Sequence, residues 1–233
     1  MSSPADPPLA ETFGDIPDPL SGANPPAPPM RLPELAPSPE RGLVRKRRVA
    51  ALIGSLAWVG AHLVVFGIRK DLAQLPFLYV AAQVLLPFSL AVLALVVALA
   101  RGKLGLGVRL GLVSSLAVIG PASFVLIAGG TPVPTEVPAG VATLIGMLLC
   151  FDITFAWAAV PLVLGALTLR GAFAAATRWR SALVGAGAGL FAGATMNLHC
   201  PNLAPSHMLL GHGLPVVFAT LGGAFLLALR TRP

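Results

Sequence analysis

From residue 49 to residue 68 the chain reads VAALIGSLAWVGAHLVVFGI, twenty residues without one charge. A helix of that length spans about 30 Å, the thickness of a bilayer's hydrocarbon core. Residues 76–100, 109–129, 181–199 and 213–229 repeat the pattern. The run at 137–169 is too long for one upright helix, so it reads either as a steeply tilted helix or as an interfacial segment followed by a span over 150–169. Only 11% of the residues are charged, against about 25% in a soluble domain. The sequence therefore predicts an all-α membrane protein with six transmembrane helices and both termini on one side. The transmembrane domain occupies 46–233, and 1–45 form a separate tail.

Basic residues set the orientation. With the N-terminus in the cytoplasm, fourteen of the sixteen lysines and arginines fall on the inside, and only Arg69 and Lys70 on the outside. That asymmetry predicts cytoplasmic termini. The high pI reflects these membrane-edge bases, and direct contact with nucleic acid is not expected.

The tail has a different chemistry. Twelve of the 23 prolines lie in residues 1–40, together with six acids and one base. Such a segment cannot bury a core and is expected to be disordered and cytoplasmic. Within it Leu9, Phe13, Ile16 and Leu20 are spaced like one face of a short helix, which Pro17 and Pro19 interrupt. The pattern fits a segment that folds onto a partner. Its net charge of −5 would attract the basic surface of a DNA-binding protein.

Motifs of catalysis are missing: the sequence has no Walker loop, HExxH, GxSxG or CxxC. No enzyme is expected. The residues able to carry chemistry collect instead in LHCPNLAPSHMLLGHG (198–213), which holds three of the four histidines and one of the two cysteines. Cys150 lies 20 residues before Arg170, and Cys200 lies 20 residues after Arg180. At about 1.5 Å per residue both thiols reach the same outer boundary, on consecutive antiparallel helices. A Cys150–Cys200 bridge, a shared ligand site and two buried apolar thiols all remain open. His199, His207, His212 and Asp152 are the neighbouring candidates for sensing or ligation. His207 and His212 are five apart, about 140° around an α-helix, which is not a helical metal-pair spacing. No cofactor is required, although a zinc or copper ion fits the residue types. On the fifth span Gly185, Gly189 and Gly193 form a stripe on which another helix can pack. His62, midway along the first span, is expected to be hydrogen-bonded within the bundle.

Cys150, the following LTLRGAF, the glycine-rich span and LHCP together resemble the NrsF-like family of bacterial integral-membrane anti-sigma factors. The resemblance implies that a short N-terminal segment holds an extracytoplasmic-function sigma factor inactive until a stress at the membrane or periplasm releases it. It also places Cys150 and Cys200 at the two cysteine positions of the family, as thiol sensors. The expected partners are that sigma factor and the bilayer. The alternative is a metal-handling or redox-active membrane protein that uses the cysteine and histidine cluster directly.

Overall fold

The computed structural model of the chain describes residues 40–100, 109–130, 132, 140, 143–169 and 177–227. All regular structure among them is helical. Helix α1 is Glu40–Phe66. It is followed by α2 (Phe77–Leu99), α3 (Leu110–Gly130), α4 (Leu144–Leu169), α5 (Thr177–His199) and α6 (Pro205–Phe225). All six are long and apolar enough to cross a membrane. Residues 1–39 of the acidic tail, with Leu9, Phe13, Ile16 and Leu20, lie outside the described residues.

Three boundaries differ from expectation, the first being that α1 already begins at Glu40, inside the segment assigned to the 1–45 tail. Helix α4 is continuous from Leu144, so no separate interfacial segment begins it, and Cys150 sits in its second turn. Helix α6 starts at Pro205, eight residues before the apolar run at 213. Pro205 occupies the first helical turn, where a missing N–H costs nothing. The Asn202 side chain accepts a hydrogen bond from the Ala204 N–H at 3.0 Å and sets the entry.

Helix α5 forms the axis of the bundle. It packs against all five other helices, and every residue from Arg180 to Asn197 is buried. Glycines permit that crowding. The backbone of α6 lies directly on Gly185, at Ala219 and Thr220, and a Cβ on Gly189 would come 2.8 Å from Val216 Cα. Gly193 faces the ring of Phe124 on α3. At one end of the bundle the buried Arg180 donates to the Ala98 carbonyl at 2.9 Å and to that of Ala100, closing the last turn of α2. The opposite end carries Cys200 and is called the thiol end below.

Prolines inside helices link the bundle in a repeated way. A proline has no N–H for the carbonyl four residues earlier, which must then find another donor away from water. Pro87 releases Gln83 O, which accepts from Asn197 Nδ2 at 2.7 Å. Pro161 releases Trp157 O, which accepts from Trp58 Nε1 at 3.1 Å. Pro215 releases Gly211 O, which accepts from Thr154 Oγ1 at 3.2 Å. In each case the donor comes from a different helix, so the released carbonyl becomes an interhelical tie.

Candidate functional site

At the thiol end, Cys150 of α4 and Cys200, just past α5, approach with Sγ atoms 3.9 Å apart. Cys200 is 7% exposed and Cys150 half-buried, and both are free thiols. Gly211 makes the approach possible, because a Cβ there would stand 3.1 Å from Cys150 Cβ. His207 Nε2 lies 3.4 Å from Cys200 Sγ. His212 completes the group: the donor atoms of Cys150, Cys200, His207 and His212 all lie within 4.8 Å of one another.

The pairing of the two histidines corrects the α-helical arithmetic. Residues 208–213 form a π-helical turn, in which hydrogen bonds run from i to i+5. That winding returns position i+5 to the same face, and the rings of His207 and His212 meet edge to face with centroids 5.3 Å apart. Pro215 favours the widened turn by removing the N–H that would otherwise bond Gly211 O.

A chain of side-chain amides fixes the chemistry of His212. Gln83 Nε2 donates to Ile127 O at 3.0 Å, which turns its Oε1 towards Asn197 Nδ2, 3.3 Å away. Asn197 Nδ2 also donates to Gln83 O, so its own Oδ1 must face His212. His212 Nδ1 bonds that oxygen at 2.5 Å. An amide oxygen only accepts, so the proton is on Nδ1 and Nε2 carries a lone pair. Nε2 is fully buried and has no hydrogen-bond partner.

The turn bearing Cys200 is clamped from outside the cluster. Arg69 Nη1 donates to Cys200 O at 3.0 Å and Nη2 to Pro201 O at 3.1 Å. The same guanidinium pairs bidentately with Asp71, at 2.7 Å and 2.6 Å. These bonds, followed by its proximity to the positive charge, hold the Asp71 carboxyl below its usual pKa against a smaller opposing effect of burial. Arg69 N also donates to Leu198 O at 2.9 Å. Gly67, with φ of +80°, lets α1 end there by closing onto Leu63 O at 3.0 Å. Cys200 itself is held below the usual thiol pKa, mainly by the hydrogen bond from Cys150 and less by the contact with His207, against the effect of burial.

Two other candidates lie elsewhere. His199 bonds Gly67 O through Nδ1 at 3.0 Å and packs against Phe66 and Trp157, outside the four-residue cluster. Asp152 is exposed on α4 and does not join it. His62 bonds Trp58 O at 2.9 Å and sits between the rings of Trp58 and Trp157. Sequence reasoning missed Arg69, Asn197, Gln83 and Thr154. For Gln83 a signal existed: a polar residue in an apolar run, four positions before a proline.

The profile of a family described as NrsF, negative regulator of sigma F, matches residues 33–232. No curated protein and no solved structure matches the chain.

Proposed function

The chain belongs to the NrsF family of negative regulators of a sigma factor, and from that premise we infer that it is a non-enzymatic, membrane-bound anti-sigma factor. The acidic tail, residues 1–45, holds an extracytoplasmic-function sigma factor in the cytoplasm, with Leu9, Phe13, Ile16 and Leu20 filling an apolar groove on the partner. Its negative charge complements a DNA-binding surface. The six helices lie in the bacterial inner membrane with both termini inside, as the bias of basic residues supports. The thiol end then faces the periplasm, and Cys150 and Cys200 respond to oxidising stress there. With hydrogen peroxide as oxidant, the two thiols give up two electrons and two protons to form one disulfide, and the hydrogen peroxide becomes two waters.

The observation that carries this reading is the position of α1. It begins at Glu40, within the last residues of the 1–45 segment, and the stretch just past its other end is bonded to the Cys200 turn through Arg69 and Gly67. A helix of 27 residues is about 40 Å long at about 1.5 Å per residue. One stiff element therefore connects the proposed sensor to the proposed inhibitory arm.

The test is co-purification with extracytoplasmic-function sigma factors, with and without residues 2–39. Capture by the full chain and not by the truncated one is the expected result. Equal capture by both would remove the tail from the mechanism, and capture by neither would favour a protein that uses the cysteine and histidine cluster directly.

A further inference from the structure

The four side chains at the thiol end have the composition and enclosure of a ligand set. We propose that Cys150, Cys200, His207 and His212 form a closed, four-coordinate site for one zinc-class divalent ion, joining α4, the α5–α6 turn and α6.

Three observations carry the assignment. The first is spacing. Zinc bonds of about 2.3 Å to sulfur and about 2.0–2.1 Å to nitrogen give tetrahedral edges of about 3.8 Å for S···S and about 3.5 Å for S···N; the Cys150–Cys200 and Cys200–His207 separations are 3.9 Å and 3.4 Å, and the whole set lies within 4.8 Å, so an ion would draw the wider pairs together by about 1 Å. The second is the orphaned lone pair of His212 Nε2, fully buried on a ring that belongs to the cluster. Its direction is set by Asn197, which holds Nδ1 as the donor in the way an outer partner orients a ligating histidine. The third is charge. Binding displaces one proton from each thiol, and two thiolates with one divalent cation sum to zero. A neutral unit is what a buried position among apolar helices tolerates.

Four protein donors leave no open position for substrate, so the ion is structural or regulatory. It would clip α4 and α6 to the turn that Arg69 holds from outside, and it would compete with disulfide formation for the same two sulfurs. Occupancy by the ion does not depend on sigma-factor binding, and it is measured on the purified protein alone.

The experiment uses the full chain, purified in detergent with a tag free of histidine, stripped of metal and titrated with Co²⁺ and then Zn²⁺. The expected result is one equivalent of Co²⁺ with the visible spectrum of a tetrahedral, thiolate-bound ion, displaced by zinc. Cys200→Ser and His212→Ala should abolish that spectrum. Asn197→Leu, which touches no metal, should weaken zinc binding by about tenfold or more. An octahedral spectrum, less than a tenth of an equivalent, or full binding by both ligand variants would overturn the site. Should a variant misfold, the unaltered chain still decides: one equivalent of zinc must protect both thiols from alkylation, and unchanged alkylation rates would refute the proposal.

Discussion

Arg69 and Cys200 lie 131 positions apart in the chain and are joined by a 3.0 Å hydrogen bond from the guanidinium to the carbonyl of the cysteine. The bond leaves the thiol untouched and fixes the backbone that carries it. A residue whose side chain is 1% exposed thus couples the end of α1 to the position of a reactive sulfur.

Replacing Arg69 with Met keeps the bulk of the side chain and removes four hydrogen bonds. Two carbonyls and a carboxylate lose their partner, and the expected cost is about 3–5 kcal/mol. Thermal unfolding in detergent should show the loss, and Cys200 should be alkylated faster than in the unaltered chain. An unchanged alkylation rate would mean that the clamp does not position the turn.

The same pair gives a pH dependence. Asp71 has its folded-state pKa depressed by Arg69, below the about 3.9 of an unfolded chain. Its stabilisation is complete above that value and is lost as pH falls through the folded-state pKa. The unaltered chain should therefore lose stability on acidification below about pH 4. Asp71→Asn should already lack this contribution at neutral pH and show a shallower acid limb. Parallel acid limbs would assign the effect to other carboxylates.

Trp58 and Pro161 provide a double-mutant cycle. Trp58→Phe orphans the Trp157 carbonyl that Pro161 released, at an expected cost of about 1–3 kcal/mol. Pro161→Ala returns an N–H to that carbonyl from within α4. The double variant should recover most of the loss, and additive losses would show that the released carbonyl is not what Trp58 serves. Chemical unfolding of the four proteins gives the coupling directly.

Two glycines separate packing from helix propensity. A methyl group at Gly185 meets the α6 backbone at Ala219, and Gly185→Ala should cost about 1–3 kcal/mol or more. Gly60 has nothing within 4 Å of a would-be Cβ, and Gly60→Ala should stabilise by about 0.5–1 kcal/mol. A ranking of melting temperatures suffices to check the opposite signs.

The six spans were legible because apolar runs of bilayer length admit few other folds. The depth count that placed Cys150 and Cys200 at one level rested on rise per residue alone, and the two sulfurs stand 3.9 Å apart. The start of α6 was not legible. Ser206, His207 and His212 make that stretch look like a loop to any scale that prices polarity residue by residue, yet His207 and His212 are buried among partners. The pairing of these two histidines depends on a π turn, which a period of 3.6 residues cannot represent. Arg69 left no mark beyond being a base on the wrong side, since half of its bonds go to backbone carbonyls that any sequence would supply.

The burial of α5 has a consequence for biogenesis. Every residue from Arg180 to Asn197 is buried in the folded chain, and of the six helices α5 is the least apolar. Presented alone to the insertion machinery, a helix with Arg180, Thr195 and Asn197 and a long glycine stripe partitions weakly into lipid. Integration of α5 would then be settled by neighbours already in the bilayer and by α6, synthesised after it, whose backbone fills the channel over Gly185 and Gly189. A nascent chain arrested before α6 should hold its fifth helix in the membrane only loosely. Insertion of α6 thereby acts as the step that commits the described bundle to its topology.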